Sequence, residues 1–346
     1  MHVLLLTHEF PPNIFGGIGI FCYELAKALG KSGVNVTVVA GCPPRTIRAS
    51  TDTVEVGTNV RVVRVPRLDF PPSHLWYQLM NTHTFKEILS DAEIVHGQDF
   101  SAFPTIHSSK KTNPRLPWVV TLHSGPVSEL HCVLGSIGRG GSIGDMIRYG
   151  AGFPAWDLAM RGDIRLADVL VPVSESLSME LRSCYAMETR KVSVIHTGVD
   201  TRGLHETARN GHSNWMTSRK VKMFWAGRLV WRKGIVQLIN SLEYLAQRIG
   251  FRDFELQIFG RGPLEHGARR LILRSNLKDN VILRGFVEYK ELIASMASSD
   301  IVCFPSLYEA CPVTMIEAMA LGKPVAAFDK SFSRELLGGD PKLPLT

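Results

Sequence analysis

Hydrophobic and polar positions follow two alternating periods along this chain. Short β-branched or leucine-rich runs at His2–Leu6, Val34–Ala40, Val60–Val65, Ile94–His96, Trp118–Leu122, Val169–Val173 and Val192–Ile195 have the length and character of buried strands. Between them lie stretches of helical period. In Phe21–Leu29, for example, Phe21, Leu25, Ala28 and Leu29 share one face, and Gly30 follows as a stop. Strand and helix in regular turn predict parallel sheets with helices on both faces. The pattern lapses over 201–220, a polar stretch without apolar period, and resumes with Met223–Trp225, Leu256–Phe259, Val281–Leu283, Ile301–Phe304 and Pro324–Ala327. The expected architecture is α/β, with two doubly wound Rossmann-like domains over 1–200 and 221–346 joined by a linker at 201–220. Open sheets of this kind hold ligands at the carboxyl ends of their strands, which are expected to face each other across a cleft.

The length of 346 residues suits two domains. The second offers five strand candidates and then runs from Ser331 into a Pro-containing tail with nothing to complete the sheet, so it is expected to be incomplete.

Charge adds a direction. Residues 1–218 carry 20 Lys and Arg against 19 Asp and Glu, and residues 219–346 carry 19 against 13, so +6 of the net +7 lies in the C-terminal part of the chain. Such an excess suits an anionic ligand. No recognition-helix, zinc-finger or aromatic RNA-binding signature accompanies it, and nucleic acid is not an expected partner. The six cysteines include no CxxC pair and no His at ligand spacing, so no zinc site or disulfide framework is expected. Reduced thiols, a signal-like run limited to Val3–Leu6, and no apolar window near about 18 residues predict a cytoplasmic protein.

Three segments carry chemistry, each following a strand. The first runs from Phe10 to Gly19, where Gly16, Gly17 and Gly19 let backbone N–H groups approach a ligand at the start of a helix expected from about Ile20. It lacks the G-x-G-x-x-G spacing and the acid closing the second strand that a dinucleotide site uses. The second is Trp225-Ala-Gly227-Arg228-Leu-Val-Trp-Arg232-Lys233-Gly234. Here a guanidinium and an ammonium five residues apart suit a diphosphate leaving group, and Arg232 is free to point outward. The third, Pro305 to Pro324, places Glu309 in a loop and Glu317 in the following helix beside Val313, Met315 and Ile316. A Glu on so apolar a helix needs a partner.

Glu309 to Glu317 forms an E-x7-E pattern. With GRLVWRKG and the GGIG loop, the chain resembles a retaining glycosyltransferase of GT-B architecture, similar to family 4 (group 1) of the nucleotide-sugar-dependent glycosyltransferases, from Met1 to about Leu337. The resemblance implies donor phosphates or sugar near Gly16, Gly17 and Gly19, the diphosphate on Arg228 and Lys233, donor-sugar hydroxyls on Glu309, and ribose hydroxyls on Glu317. It also implies a catalytic His123 at the end of Trp118–Leu122 and an acceptor-side His96 after the fourth strand. Gly227, Val313 and the Gly260-Arg-Gly262-Pro turn are implied beside the donor. Ala310-Cys311-Pro312 departs from the common Gly-Phe-Gly, and Pro312 gives up one backbone donor.

The implied reaction moves a sugar from a nucleotide diphosphate sugar to an acceptor hydroxyl with retention. No Asp-x-Asp pair occupies a suitable loop, so no metal or other cofactor is expected, the two cations replacing it. The sequence does not identify the acceptor, and a sugar, a lipid-linked acceptor and a small molecule all stay open. Aromatic residues in the least regular segments (Trp76 and Tyr77 in 70–84, Phe153 in 130–155) suit stacking on a sugar or peripheral contact with a membrane. Two other readings stand beside this one. A glycogen or starch synthase would carry Lys where Phe15 stands, and a silent sugar-nucleotide-binding protein would not need Arg228, Lys233, Glu309 and Glu317 together.

Overall fold

Apolar runs become the strands of two parallel sheets in the structure, a computed structural model that describes residues 1–13, 16–43, 56–68, 77, 79–213, 215 and 219–338. Two compact units result, one of Met1–Val127 with Gly150–Thr197 and one of Ser128–Tyr149 with the chain from Gly198 onward.

In the first unit the elements are β1 (His2–Thr7), α1 (Gly17–Lys31), β2 (Asn35–Cys42), β3 (Val60–Pro66), α2 (Thr82–Leu89), β4 (Ile94–Gln98), α3 (Thr105–Thr112) and β5 (Trp118–Leu122). There follow α4 (Pro126–Leu134), α5 (Ile143–Leu166), β6 (Val169–Pro172) and α6 (Glu175–Cys184), with the division between units falling inside α4 and α5. The sheet order is β3-β2-β1-β4-β5-β6, every pair parallel, with Leu5 beside both Val38 and His96. Strand order turns back between β1 and β4, so their carboxyl ends flank the switch point where such sheets take ligands. Leu4, Leu5 and Leu6 are fully buried because this central strand is covered on both faces.

The second unit contains α7 (Thr201–Asn210), β7 (Val221–Ala226), α8 (Ile235–Gln247), β8 (Phe254–Phe259), α9 (Glu265–Arg274) and β9 (Val281–Gly285). It continues with α10 (Tyr289–Ala297), β10 (Ile301–Phe304), α11 (Val313–Ala320), β11 (Val325–Ala327) and α12 (Ser331–Leu336). The sheet is parallel in the order β11-β10-β7-β8-β9. Successive residues of β7 point to opposite faces: Trp225 joins Ile235, Ile239, Ile258 and Leu271 on one side, and Phe224 joins Leu204, Phe259, Ile293 and Ala318 on the other.

The structure corrects four expectations. Val192–Ile195 is not a strand; Val192 makes a single bridge to Leu170, and Ile195 is exposed, so no second face is covered. The expected linker begins instead with α7, capped by Asp200, whose carboxylate accepts from the Gly203 N–H at 3.0 Å. Only Leu204 of α7 is buried, with Ala208 packed beside it, and one apolar stripe among polar residues left too faint a period to read. The irregular reading of 130–155 gives way to α4 and α5, whose glycines and Pro154 had masked them. Lastly, α1 starts at Gly17, so Gly17 and Gly19 lie in its first turn. The tail from 339 lies outside the described residues. Among the described residues no helix is long and apolar enough to cross a membrane.

If α7 is part of the second core, Leu204→Ala should lower the stability of that unit by about 2–5 kcal/mol in a denaturant titration. A change below about 0.5 kcal/mol would return α7 to the status of a surface linker.

Candidate functional site

Two loops at neighbouring strand ends assemble the chemistry of the second unit. The loop after β7 carries Arg228 to Gly234, and the loop after β10 carries Pro305 to Pro312. The Leu307 N–H donates to the Arg232 carbonyl at 2.7 Å, tying one loop to the other. Gly234 has φ +68°, and a Cβ there would stand 1.8 Å from the Pro305 carbonyl oxygen, so no larger residue permits this approach.

That approach delivers Lys233 to Glu309. Lys233 Nζ donates to Glu309 Oε1 in a short ion pair, Ser306 Oγ donates to the same oxygen at 2.9 Å, and Arg232 Nη1 lies 3.4 Å from Oε2. Burial is the largest influence on the Glu309 carboxyl and would raise its pKa. The Lys233 ammonium, then the Arg232 guanidinium, overturn it and hold the group below the ordinary carboxylate range. Arg232 therefore points inward, against the sequence expectation. Its Nε also lies 4.0 Å from Glu129 Oε1, while the Tyr149 hydroxyl donates to Glu129 Oε2 at 2.9 Å. Arg228 is exposed beside this cluster in the chain.

The Gly260-Arg261-Gly262 turn locks onto the same loop. A Cβ at Gly260 (φ +120°) would fall 2.0 Å from the Gly227 carbonyl oxygen and one at Gly262 2.4 Å from that of Leu229, while Leu229 N–H donates to Arg261 O at 3.0 Å. Backbone contact thus accounts for both glycines and for the shape of the Gly227–Leu229 segment. Val313 opens α11, half-buried, directly after Pro312.

Glu317, in the middle of α11, is 5 % exposed and accepts a 2.7 Å hydrogen bond from the Tyr289 hydroxyl. Burial raises its pKa to about 7, against the smaller opposing effect of that bond. Glu309 and Glu317 are consequently different acids: the first is ionised among cations, and the second is poised near neutrality with no cation paired to it among the described residues.

In the first unit, polar groups gather at the ends of β1, β4 and β5. His123 N–H donates to Asp99 Oδ1 at 2.5 Å and Ser124 Oγ to Asp99 Oδ2 at 3.2 Å, with Asp99 in the left-handed region at φ +44°. His123 Nε2 donates to the amide oxygen of Gln98 at 2.8 Å, which fixes the proton on that nitrogen. Burial, assisted by the neighbouring His96 and His8, lowers the pKa of His123 to about 3, so it is neutral at ordinary pH. His96 lies inside β4, not beyond it, with Nε2 2.7 Å from Thr121 Oγ1 and a pKa lowered by burial to about 4. The strand continues to Gln98, so Gln98 and Asp99 occupy the strand end expected for His96.

Gly16 and Gly17 are exposed at the start of α1, whereas Gly19 is buried and its N–H donates to Glu9 Oε1 at 3.0 Å. Of the aromatic residues expected for an acceptor, Tyr77 is fully buried; it donates to Val39 O at 2.6 Å and packs edge-on against Phe85. Phe153 is half-buried in α5, and Trp76 and Phe15 lie outside the described residues. Sequence reasoning missed Ser306, Tyr289, Glu129, Gln98 and Asp99. Of these, the Gln98-Asp99 pair closing an apolar run had a legible signal.

The fold and the sequence both have known relatives. The fold is similar to that of HepE from Anabaena in complex with UDP and glucose, with a TM-score of 0.67 at 16% identity over 96% of this chain and 82% of that one. The sequence is 26% identical to the glycosyltransferase MJ1607 of Methanocaldococcus jannaschii over 94% of this chain and 80% of its relative. It is also 24% identical to glycogen synthase of Mycobacterium tuberculosis over 94% of this chain and 77% of that one. Two Rossmann-like parallel sheets with this likeness define a GT-B fold. Residues 213–340 match the family described as Glycosyl transferases group 1. Residues 15–202 match Glycosyltransferase Family 4, and the chain belongs to that family.

Glu317 carries a prediction of its own. Its carboxyl ionises near 4.5 in an unfolded chain and near 7 when folded, so the stability it lends is full below about pH 4.5 and lost as pH rises through 7. Glu317→Gln cannot ionise and should exceed the parent in stability by up to about 3 kcal/mol above pH 7, the advantage shrinking toward pH 4. A stability difference that stays constant from pH 4 to 8 would contradict the assignment.

Proposed function

We propose that this glycosyltransferase takes its sugar from a nucleoside diphosphate sugar and transfers it to an acceptor hydroxyl with retention, using no metal ion. One observation carries the reading. Half-buried Lys233 and Arg232 gather on the largely covered carboxylate of Glu309, in the same unit as Glu317, a buried acid with no cation paired to it among the described residues. Cations suit a diphosphate, an ionised carboxylate suits sugar hydroxyls, and an acid held near neutrality gains most from donors such as the two hydroxyls of a ribose.

In this reading Lys233 and the exposed Arg228 neutralise charge growing on the departing diphosphate, as preorganised cations do best in a dry site. Glu309 then orients the donor sugar, and Glu317 binds the ribose. Neutral His123, with its Nε2–H given to Gln98 and its backbone N–H to Asp99, keeps Nδ1 to accept from a sugar hydroxyl and carries no positive charge at ordinary pH. Since Glu9 already takes the Gly19 N–H, Gly16 and Gly17 remain to meet the ligand. The C1–oxygen bond to diphosphate breaks, the acceptor oxygen bonds to C1 on the same face, and its proton passes to the departing phosphate oxygen. HepE holding UDP and glucose on a similar fold supports a nucleotide donor. The likeness to glycogen synthase keeps a glucan acceptor as a second reading, decided by whether an oligoglucan is extended.

Glu309→Gln should lower transfer at least about 100-fold while a nucleoside diphosphate still binds, as calorimetry can show. Equal loss of binding and turnover would place Glu309 on the nucleotide instead. Transfer should also persist in EDTA; loss restored by magnesium or manganese would refute the metal-free route.

A further inference from the structure

Glu317 is partnered by a residue of a different kind from those around Glu309. Tyr289 opens α10 four residues past the end of β9, and it is 47 % exposed, yet its hydroxyl reaches the 5 % exposed carboxyl at 2.7 Å. The phenol thus stands between solvent and a buried acid, occupying Oε1 and leaving Oε2 for a ligand. Among the described residues no charged group bears on this carboxyl, the half-buried Glu291 of α10 included. Arg202, His205, Glu206 and Arg209 of α7 are exposed, as are Glu288 and Lys290 beside Tyr289, and none of them bears on Glu317.

A hydroxyl donates about twice as strongly to a carboxylate as to a neutral acid. Tyr289 therefore opposes the burial that favours the protonated form, and it fixes which oxygen faces outward. We infer that Tyr289 is a positioning residue for the nucleotide: through Glu317 Oε1 it presents Oε2, as a carboxylate, to the ribose hydroxyls. This rests on the proposal above that Glu317 takes the ribose.

The test measures affinity for a nucleoside diphosphate between pH 6 and 9 in the full chain, in the parent, Tyr289→Phe and Glu317→Gln, with inorganic pyrophosphate as a control ligand. In Tyr289→Phe the pH at which nucleotide affinity rises should move up by about one unit. Affinity near pH 7 should then fall about fivefold, recovering toward pH 9, and pyrophosphate affinity should not change. An unmoved pH profile overturns the inference, and so does a uniform loss at every pH, the mark of a merely structural role. Should Glu317→Gln bind the nucleotide as the parent does, the ribose assignment itself fails, and Tyr289 with it.

Discussion

The ion pair of half-buried Lys233 with the largely covered carboxylate of Glu309 is the interaction on which the second unit's site depends. Either charge alone at that depth would cost several kcal/mol, and together they are tolerated only with close geometry and further hydrogen bonds. Ser306 supplies one such bond and Arg232 a second cation, so the carboxylate is fixed and charged before any donor arrives, with acceptor capacity left on Oε2. A site assembled this way need not reorganise when charge develops on a leaving group, and preorganisation of that kind is a large share of catalytic electrostatics.

Geometry of the backbone makes the pair possible. Gly234 lets the loop after β7 pass against Pro305, and the turn at Gly260 and Gly262 presses the same loop from the other side. Glycine here serves contact between protein segments as much as access to a ligand. Glu317 shows the complementary device, since its folded environment penalises the charged form and only a phenol offsets the penalty. Stability given up at one acid and recovered when a ligand donates to it is a common cost of binding sites.

Much of this was legible in the chain. Strand runs such as Trp118–Leu122 appear where the apolar pattern placed them, because a strand buried on both faces advertises itself in every residue. Helix α7 did not, since a single buried Leu204 in ten residues gives no readable period. Glu309 and Lys233 were marked by spacing after strands, and the structure brings them together. Arg228 and Arg232 were harder to rank, because two guanidiniums in one loop look alike until Leu307 pins the backbone of Arg232 and turns its side chain inward. His96 was misplaced by two residues of strand, and Tyr77 was hidden because an aromatic residue in an irregular segment gives no sign of whether it faces water or the core.

A double-mutant cycle on the donor-free protein reaches the central claim most directly, by comparing the unfolding free energies of Lys233→Met, Glu309→Gln and the double variant with the parent. The account predicts that Lys233→Met alone costs about 3–5 kcal/mol by stranding the Glu309 charge, and that adding Glu309→Gln returns part of that loss, giving a coupling of about 1–3 kcal/mol. Single effects that add to within about 0.5 kcal/mol would mean the two residues do not form a coupled pair, and the preassembled site would have to be abandoned.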